Sequence, residues 1–234
     1  MTNNAWNTPT MDSVGDGYTL IGSGAGRPAA GLITGDSNVT ITPGANTLEV
    51  SSSVTAGAMT KIGTATASAS ASISFTGLSS TYFLYILRFS DLQPATDATT
   101  LLFRTSTDNG STYDSGASDY AWNLFQANES GSESGAADQS DSSITIMGEA
   151  GSSDEMGTGT NEKGSGCIYI YNPSAAKYTF INWEGVFFNE AAQWIMNNGG
   201  GFRQSAADVD AIQLLMDSGN IASGTFVLYG VSNT

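Results

Sequence analysis

The chain has 234 residues, of which 40% are hydrophobic and only 12% charged, and its 22 acidic and 7 basic side chains give a formal net charge of −15. So acidic a surface repels phosphate, which argues against nucleic-acid binding and docking on anionic membranes, and no apolar stretch reaches the roughly 18 residues of a membrane span. The chain has no histidine and one cysteine, Cys167, which excludes Ser-His-Asp and Cys-His catalysis, His-ligated zinc and an intrachain disulfide.

Residues 1–58 are polar and glycine-rich, and they carry three short strand signals, at residues 18–21, 39–42 and 48–50. In the second of these, Val39 and Ile41 alternate with threonines, which is the pattern of a half-buried strand. Three such strands cannot enclose a core by themselves. We therefore predict that residues 1–58 form an extended arm that oligomerises or anchors the chain. The first residues, MTNNAWNTPTMDS, lack a basic region followed by an apolar one, so we expect synthesis in a cytoplasm without a signal peptide.

From residue 59 onward the chain is predicted to form successive short strands. Alanine and serine alternate over residues 65–74, and residues 82–89 (YFLYILRF) form a nearly continuous apolar run. Such a run is typical of a central strand with both faces covered. Further strands are expected at residues 101–105 and 121–125, and the turn formers Asp108, Asn109 and Gly110 lie between them.

Four oxygen-bearing side chains fall in or just after this turn: Asp108, Asn109, Asp114 and Asp119. Carboxylate and amide oxygens are the ligands that calcium takes, with backbone carbonyls completing the shell. The spacing differs from that of an EF-hand loop and lacks its terminal glutamate. Two interpretations stay open, a calcium site and an acidic surface turn, and calcium is the one cofactor that the sequence suggests.

Residues 128–163 form an insert rich in serine, glycine and acidic residues, with Lys163 as its one base. Its single apolar island, residues 144–147 (ITIM), predicts one strand between two long loops. Loops of this length are usually functional or mobile, so we expect the variable surface of the protein here.

The last part of the chain repeats the pattern of short strands. Strands are predicted at residues 166–171, 178–188, 212–216 and 225–229, with turns at 172–174, 197–200 (NNGG) and 217–220. Residues 190–196 could form one helical turn or a bent strand. Both faces of the last strand are apolar, so it is expected inside a sheet. These segments predict an all-β fold: a jelly-roll-like antiparallel β-sandwich over residues 59–234, preceded by the arm.

Without histidine, the one catalytic option is a pair of carboxylates, because glycoside hydrolysis needs only two. Glu184 and Glu190 are candidates, since the aromatic residues around them could stack on sugar rings. The alternative is that Trp183 and Phe187 belong to the core and both glutamates are solvated. We favour the alternative and expect no enzymatic activity.

A glycan or protein ligand would contact exposed aromatic residues. Tyr113 and Tyr120 lie in the polar stretch after residue 107 and are expected to be exposed. Together with Trp194 they are the candidate residues for such binding, because aromatic side chains offer large contact areas with a polar edge.

Three segments of the predicted sandwich carry a resemblance to a known class of domain: residues 104–122 (RTSTDNGSTYDSGASDYAW), 168–185 (IYIYNPSAAKYTFINWEG) and 210–231 (DAIQLLMDSGNIASGTFVLYGV). Together they resemble a β-sandwich module that is common in virion proteins of tailed bacteriophages. Residues 22–51 are similar to the short β stretches that precede phage fibre heads. The resemblance implies location in the virion and a homotrimer, and it includes no catalytic motif.

The resemblance and the residues together predict a non-enzymatic structural protein of a phage virion, of tail-fibre or receptor-binding type. Residues 1–58 would contact other virion proteins, and the sandwich would face solvent or a host surface glycan or protein. No nucleic acid and no membrane insertion are expected. The alternatives are a capsid decoration or head-fibre protein, and an extracellular carbohydrate-binding or filament protein.

Overall fold

The computed structural model describes residues 18–22, 28–32, 39–44, 47–52, 59–149, 151 and 153–232. The chain divides into two compact units, Met1–Ala56 and Gly57–Thr234. The described residues form sixteen strands and no helix. They therefore contain no helix that is long and apolar enough to cross a membrane. The fold is all-β, as predicted.

The first unit contains two antiparallel hairpins among its described residues. Strand β1 (Tyr18–Gly22) pairs with β2 (Pro28–Leu32), and β3 (Val39–Gly44) pairs with β4 (Thr47–Ser52). The sequence predicted β1, β3 and β4. It missed β2, whose residues PAAGL include no β-branched or aromatic side chain. The anchoring role of residues 1–58 stays a prediction.

The second unit consists of two antiparallel sheets. Its strands are β5 (Met59–Ser70), β6 (Ser72–Thr76), β7 (Leu84–Pro94), β8 (Leu101–Ser106), β9 (Tyr120–Asn128), β10 (Glu133–Asp141), β11 (Ile144–Met147), β12 (Gly164–Tyr171), β13 (Phe180–Phe188), β14 (Trp194–Arg203), β15 (Ala211–Met216) and β16 (Ile221–Val231). The larger sheet has the order β10-β9-β14-β13-β12-β7-β16-β5, and the smaller has the order β11-β8-β15-β6.

Eight of these strands have the topology of a jelly roll. These are β5, β6, β7, β8, β11, β12, β15 and β16, which we count as strands 1 to 8 in chain order. One sheet then has the order 1-8-3-6 (β5-β16-β7-β12), and the other has the order 2-7-4-5 (β6-β15-β8-β11). This is the order that two interlocked Greek keys produce. The remaining four strands are two hairpins, β9–β10 and β13–β14, which extend the larger sheet beyond β12. The jelly-roll-like sandwich predicted from the sequence is therefore present, with a doubled sheet on one side.

The core lies between the two sheets. Alternate residues of each strand point inward, and each fully buried Leu, Ile or Phe stabilises the fold by about 1.5–3 kcal/mol. The larger sheet contributes Leu87, Phe89, Ile168, Ile170, Trp183, Phe187, Phe226 and Leu228, and the smaller contributes Ile73, Phe103, Ile212 and Leu214. The predicted places of Trp183 and Phe187 in the core are confirmed.

The NNGG segment was predicted as a turn, and this prediction was wrong. Residues 197–200 lie in the middle of β14, between β13 and β9. A Cβ added at Gly199 would come within 2.3 Å of Cζ2 of Trp183 and within 2.5 Å of the backbone oxygen of Asn123. The glycine is therefore required by the buried indole ring above it, which local sequence does not reveal.

The acidic insert is more ordered than predicted. The island at residues 144–147 is a strand, β11, and all four of its residues are buried. The stretch before it was expected to be a loop, but Glu133–Asp141 forms β10, an exposed edge strand paired with β9. Polar and charged side chains on an edge strand discourage pairing with further chains, which explains why β10 carries no apolar signal.

Candidate interaction surface

The larger sheet has one face on the core and an opposite face on which no described strand of the second unit packs. The cross-strand register places the outward residues of β9, β14, β13, β12, β7 and β16 side by side on it. We call this surface the outer face. Its apolar and aromatic members are Phe125, Trp194, Met196, Phe202, Phe180, Val186, Tyr169, Tyr171, Leu84, Ile86, Val227 and Tyr229.

Several of these side chains are exposed to an extent that is unusual for their type. Phe180 is 53% exposed, and Phe125, Trp194 and Met196 are each 40% exposed. An antiparallel sheet with one solvated face normally alternates apolar inward and polar outward residues. Contiguous exposed apolar surface of this size marks an interaction site in soluble proteins.

The smaller sheet provides an internal comparison. Its outward residues include Ser72, Ser74, Arg104 and Gln213. The amide of Gln213 donates to the Ser72 hydroxyl at 3.2 Å and to the Ser74 hydroxyl at 3.4 Å. This side of the sandwich therefore follows the usual pattern of a solvated sheet. The smaller sheet also has two outward leucines, Leu102 and Leu215, but both are half-buried, whereas large apolar side chains on the outer face of the larger sheet are exposed.

Strand β7 shows the same contrast within one segment. The sequence predicted a central strand with both faces covered, and β7 does lie inside the larger sheet, between β12 and β16. Its inward residues Tyr85, Leu87 and Phe89 are buried, but on the outer face Leu84 and Ile86 are only half-buried. Coverage of the second face is not provided by the described part of the second unit.

Two charged residues lie near the middle of the outer face. One row across the sheet runs Asn198, Glu184, Cys167, Arg88 and Val227, in adjacent strands. The Tyr169 hydroxyl donates to Glu184 Oε1 at 3.3 Å. Burial, and to a lesser degree the Glu184 carboxylate, raise the pKa of Cys167, so its thiol is neutral near pH 7.

Two shallow clefts flank the end of the outer face at Phe180. One, of about 500 Å³, lies between Tyr171, Tyr178 and Phe180 and includes Lys177. The other, of about 490 Å³, runs over Gly200, where an added Cβ would meet nothing closer than 3.8 Å. The Phe202 ring stands between them, with its centroid 5.5 Å from that of Phe180 and 5.7 Å from that of Tyr178.

The predicted aromatic site residues are not brought together. Trp194 lies on the outer face, and Tyr113 is half-buried in the loop after β8. The expected exposure of Tyr120 was wrong, because its side chain is fully buried. Its hydroxyl accepts a bond from the Thr105 amide at 2.8 Å, and burial raises the pKa of Tyr120 to about 12. Tyr120 is a core residue that cannot contact a ligand.

The four oxygen-bearing residues after β8 are each held by separate bonds. Asp108 accepts from the hydroxyl and amide of Thr112 and from the Ser106 hydroxyl, and these bonds lower its pKa to about 2. Asn109 accepts from the Gly77 amide, Asp119 accepts from the Gly116 amide, and Asp114 pairs with Arg203 at 2.7 Å.

The calcium hypothesis therefore finds no assembled site in the part of the chain that the structure describes. These residues contain no group of three or more acidic, histidine or cysteine side chains that could hold a metal ion. Asp114 already has its charge balanced by a guanidinium group, and Asp108 serves a local turn. Calcium binding stays a prediction.

Of the two candidate carboxylates, Glu184 lies in β13 and Glu190 lies in the turn after this strand. Glu184 is exposed on the outer face, whereas the Glu190 amide donates to the Glu155 carbonyl at 3.0 Å. Burial raises the pKa of Glu190, and Glu155 and Asp154 raise it further. Residues 184–188 alone span roughly 13 Å of extended strand, against the roughly 5–9.5 Å between the carboxyl groups of a glycosidase pair. This separation does not favour hydrolysis.

The residues that the sequence did not identify as a site are those of the outer face itself. A signal was present, because β13 is apolar in both phases of its alternation: Ile181, Trp183 and Phe187 point inward, while Phe180 and Val186 point outward. Comparison of the chain with known protein families and with curated proteins finds no match.

Proposed function

We propose that this chain is a non-enzymatic structural protein of a bacteriophage virion, of tail-fibre or receptor-binding type, whose jelly-roll unit assembles with other copies through the outer face. The observation that carries the proposal is the exposed aromatic and aliphatic surface on one side of the larger sheet, opposite a polar side on the smaller sheet. Large contiguous apolar patches of this kind mark protein contacts in soluble proteins.

The dimensions of the outer face suit a subunit contact. The six strands that form the outer face are about 4.8 Å apart and about 30 Å long, which makes a face of roughly 800 Å², and each partner in a standard interface buries about 800 Å². The centre of the face carries one acid and one base, Glu184 and Arg88, whereas the whole chain has a net charge of −15. A nearly neutral face on an acidic protein is the surface on which copies repel each other least.

Location in a virion is supported by the resemblance of residues 104–122, 168–185 and 210–231 to phage sandwich modules, and by the jelly-roll topology, which virion proteins often use. The same evidence supports a capsid decoration or head-fibre role. Copy number separates the two: tens of copies per purified particle indicate a fibre, and hundreds indicate decoration of the capsid.

Assembly through the outer face is tested by placing a charge on it. Val186 is 38% exposed on β13, so Val186→Lys should fold normally, yet it would bury an ammonium group in the proposed interface. We expect the wild-type chain to be oligomeric in light scattering coupled to size-exclusion chromatography, and Val186→Lys to dissociate at least roughly tenfold more readily.

Ser74→Lys is the matched control, because it places the same charge on an exposed strand position of the smaller sheet. It should leave the oligomer unchanged. A monomeric wild-type chain at micromolar concentration, or equal effects of the two substitutions, would contradict the proposal.

A second candidate function is glycan binding at the clefts beside Phe180. Three aromatic rings, Tyr171, Tyr178 and Phe180, line one cleft, and aromatic faces are suited to stacking on sugars. The two functions make opposite demands on this end of the face. Glycan binding needs Phe180 open to solvent in the assembled protein, whereas full coverage of the outer face buries it.

A further inference from the structure

Arg88 is the base nearest the centre of the outer face, and its surroundings are apolar or neutral. Its cross-strand neighbours on the face are Cys167 in β12 and Val227 in β16. The one ion pair among the described residues joins Arg203 to Asp114, on the other side of the sheet. The exposed Arg88 guanidinium thus has no carboxylate partner within the described chain.

Glu184 is likewise an exposed charge on the outer face, and it has no ion-pair partner among the described residues. It is exposed on β13, where its cross-strand neighbours are Cys167 and Asn198. The one hydrogen bond to its side chain comes, among the described residues, from Tyr169. Cys167 separates Glu184 from Arg88, and two strand spacings amount to roughly 9.6 Å.

Covering the outer face removes both charges from water. An isolated buried charge costs several kcal/mol, and a like charge opposite it costs more. An interface that buries the surrounding aromatic residues is therefore stable only if each charge meets one of opposite sign. In an assembly of identical chains, the face of a second copy supplies the missing partner for both.

We propose that Glu184 of one copy pairs with Arg88 of another copy across the outer face, so that the occupant of this face is a second copy of the chain. The inference rests on the assembly described under Proposed function. Both charges lie in one row with Cys167 between them, so two rows laid face to face in opposite senses bring each Glu184 over an Arg88. This reciprocal contact joins two copies about a two-fold axis and so differs from the homotrimer that the resemblance implies. The same reversal sets Tyr229 opposite the depression at Gly200, because these residues lie two strands to either side of Tyr169.

The test is a charge exchange in the full-length chain. Glu184→Arg and Arg88→Glu each place like charges opposite one another, and each should weaken association at least roughly tenfold by analytical ultracentrifugation. The double variant Glu184→Arg/Arg88→Glu restores opposite charges with the signs exchanged. We expect it to associate within roughly threefold of the wild-type chain.

Arg104→Glu is the matched control, because it makes the same charge reversal on the outward side of the smaller sheet. It should not alter association.

The outcomes separate the two proposals. A monomeric wild-type chain overturns the proposed assembly itself. A wild-type oligomer that tolerates either single reversal, or a double variant as weak as the single ones, overturns the Glu184–Arg88 contact and leaves assembly through the outer face standing.

Discussion

The Tyr120 hydroxyl lies at the end of a fully buried ring and joins three parts of the second unit. It accepts a bond from the Thr105 amide at 2.8 Å, lies 3.1 Å from the Thr105 hydroxyl, and donates to the Asp114 carbonyl at 3.2 Å. The Asp114 carboxylate in turn accepts from Arg203 Nε of β14. These bonds hold the loop after β8 against the core, so Tyr120 and Asp114 have structural roles where the sequence suggested binding.

We predict that Tyr120→Phe lowers the free energy of unfolding by roughly 1–3 kcal/mol, because the buried Thr105 amide loses its acceptor. The effect is measured by urea denaturation at pH 7. Thr76→Ala, at an exposed strand position of the smaller sheet, is the control and should change little.

The same residue predicts a pH dependence. A phenol ionises near pH 10 in the unfolded chain, and burial raises the pKa of Tyr120 to about 12 in the folded chain. The protonated form is favoured by folding, so this contribution is complete below pH 10 and is lost as the pH rises from 10 to 12, at about 1.4 kcal/mol per unit. Stability measured from pH 9 to 12 should fall more steeply for the wild-type chain than for Tyr120→Phe. Parallel curves would show that the phenol is not the cause.

At the scale of the elements, β14 is the clearest departure from local preference. Its central residues are asparagine and glycine, which are depleted in strands, yet β14 pairs along its whole length with both β13 and β9. Gly199 points inward beneath the Trp183 ring, and Gly200 points outward into a cleft. The long pairing on both sides and the buried indole ring stabilise a strand that its own residues do not favour.

Gly199→Ala and Gly200→Ala form a matched pair of tests one residue apart. The new methyl group at residue 199 would overlap the indole ring, so we expect a loss of roughly 1–3 kcal/mol in the free energy of unfolding. At residue 200 nothing obstructs the methyl group, and removing glycine from a strand should be neutral or stabilise by about 0.5–1 kcal/mol. Similar thermal shifts for the two variants would contradict this account of β14.

At the scale of the whole molecule, net charge opposes assembly while the outer face promotes it. Each copy carries a charge of −15, and the proposed contact contains few charged residues. The repulsion between copies acts over long distances and is screened by salt, with a Debye length of about 30 Å at 0.01 M and about 8 Å at 0.15 M. Apolar burial is not weakened by salt at these concentrations.

We therefore predict that association tightens as sodium chloride is raised from about 0.01 M to about 0.15 M, despite partial screening of the Glu184–Arg88 contact. Sedimentation equilibrium at the two concentrations measures the change in dissociation constant. An interface held mainly by ion pairs would show the reverse dependence.

The sequence alone determined the fold class and most of the strands, because hydrophobic alternation over a few residues is a local property. Strands such as β8, β12, β15 and β16 were predicted close to their observed positions, and the interior location of β16 followed from its two apolar faces. The lack of histidine restricted the chemistry before any fold was considered.

Only the tertiary structure decided which apolar residues are covered. Phe180 and Trp183 are both aromatic residues of β13, but one is exposed and the other buried, since the smaller sheet packs on a single face of the larger one. The strand assignment of Asn198 and Gly199, the burial of Tyr120 and the row that joins Glu184, Cys167 and Arg88 likewise depend on partners distant in the chain. Such contacts are set by the pairing of whole strands, which no local pattern of residues specifies.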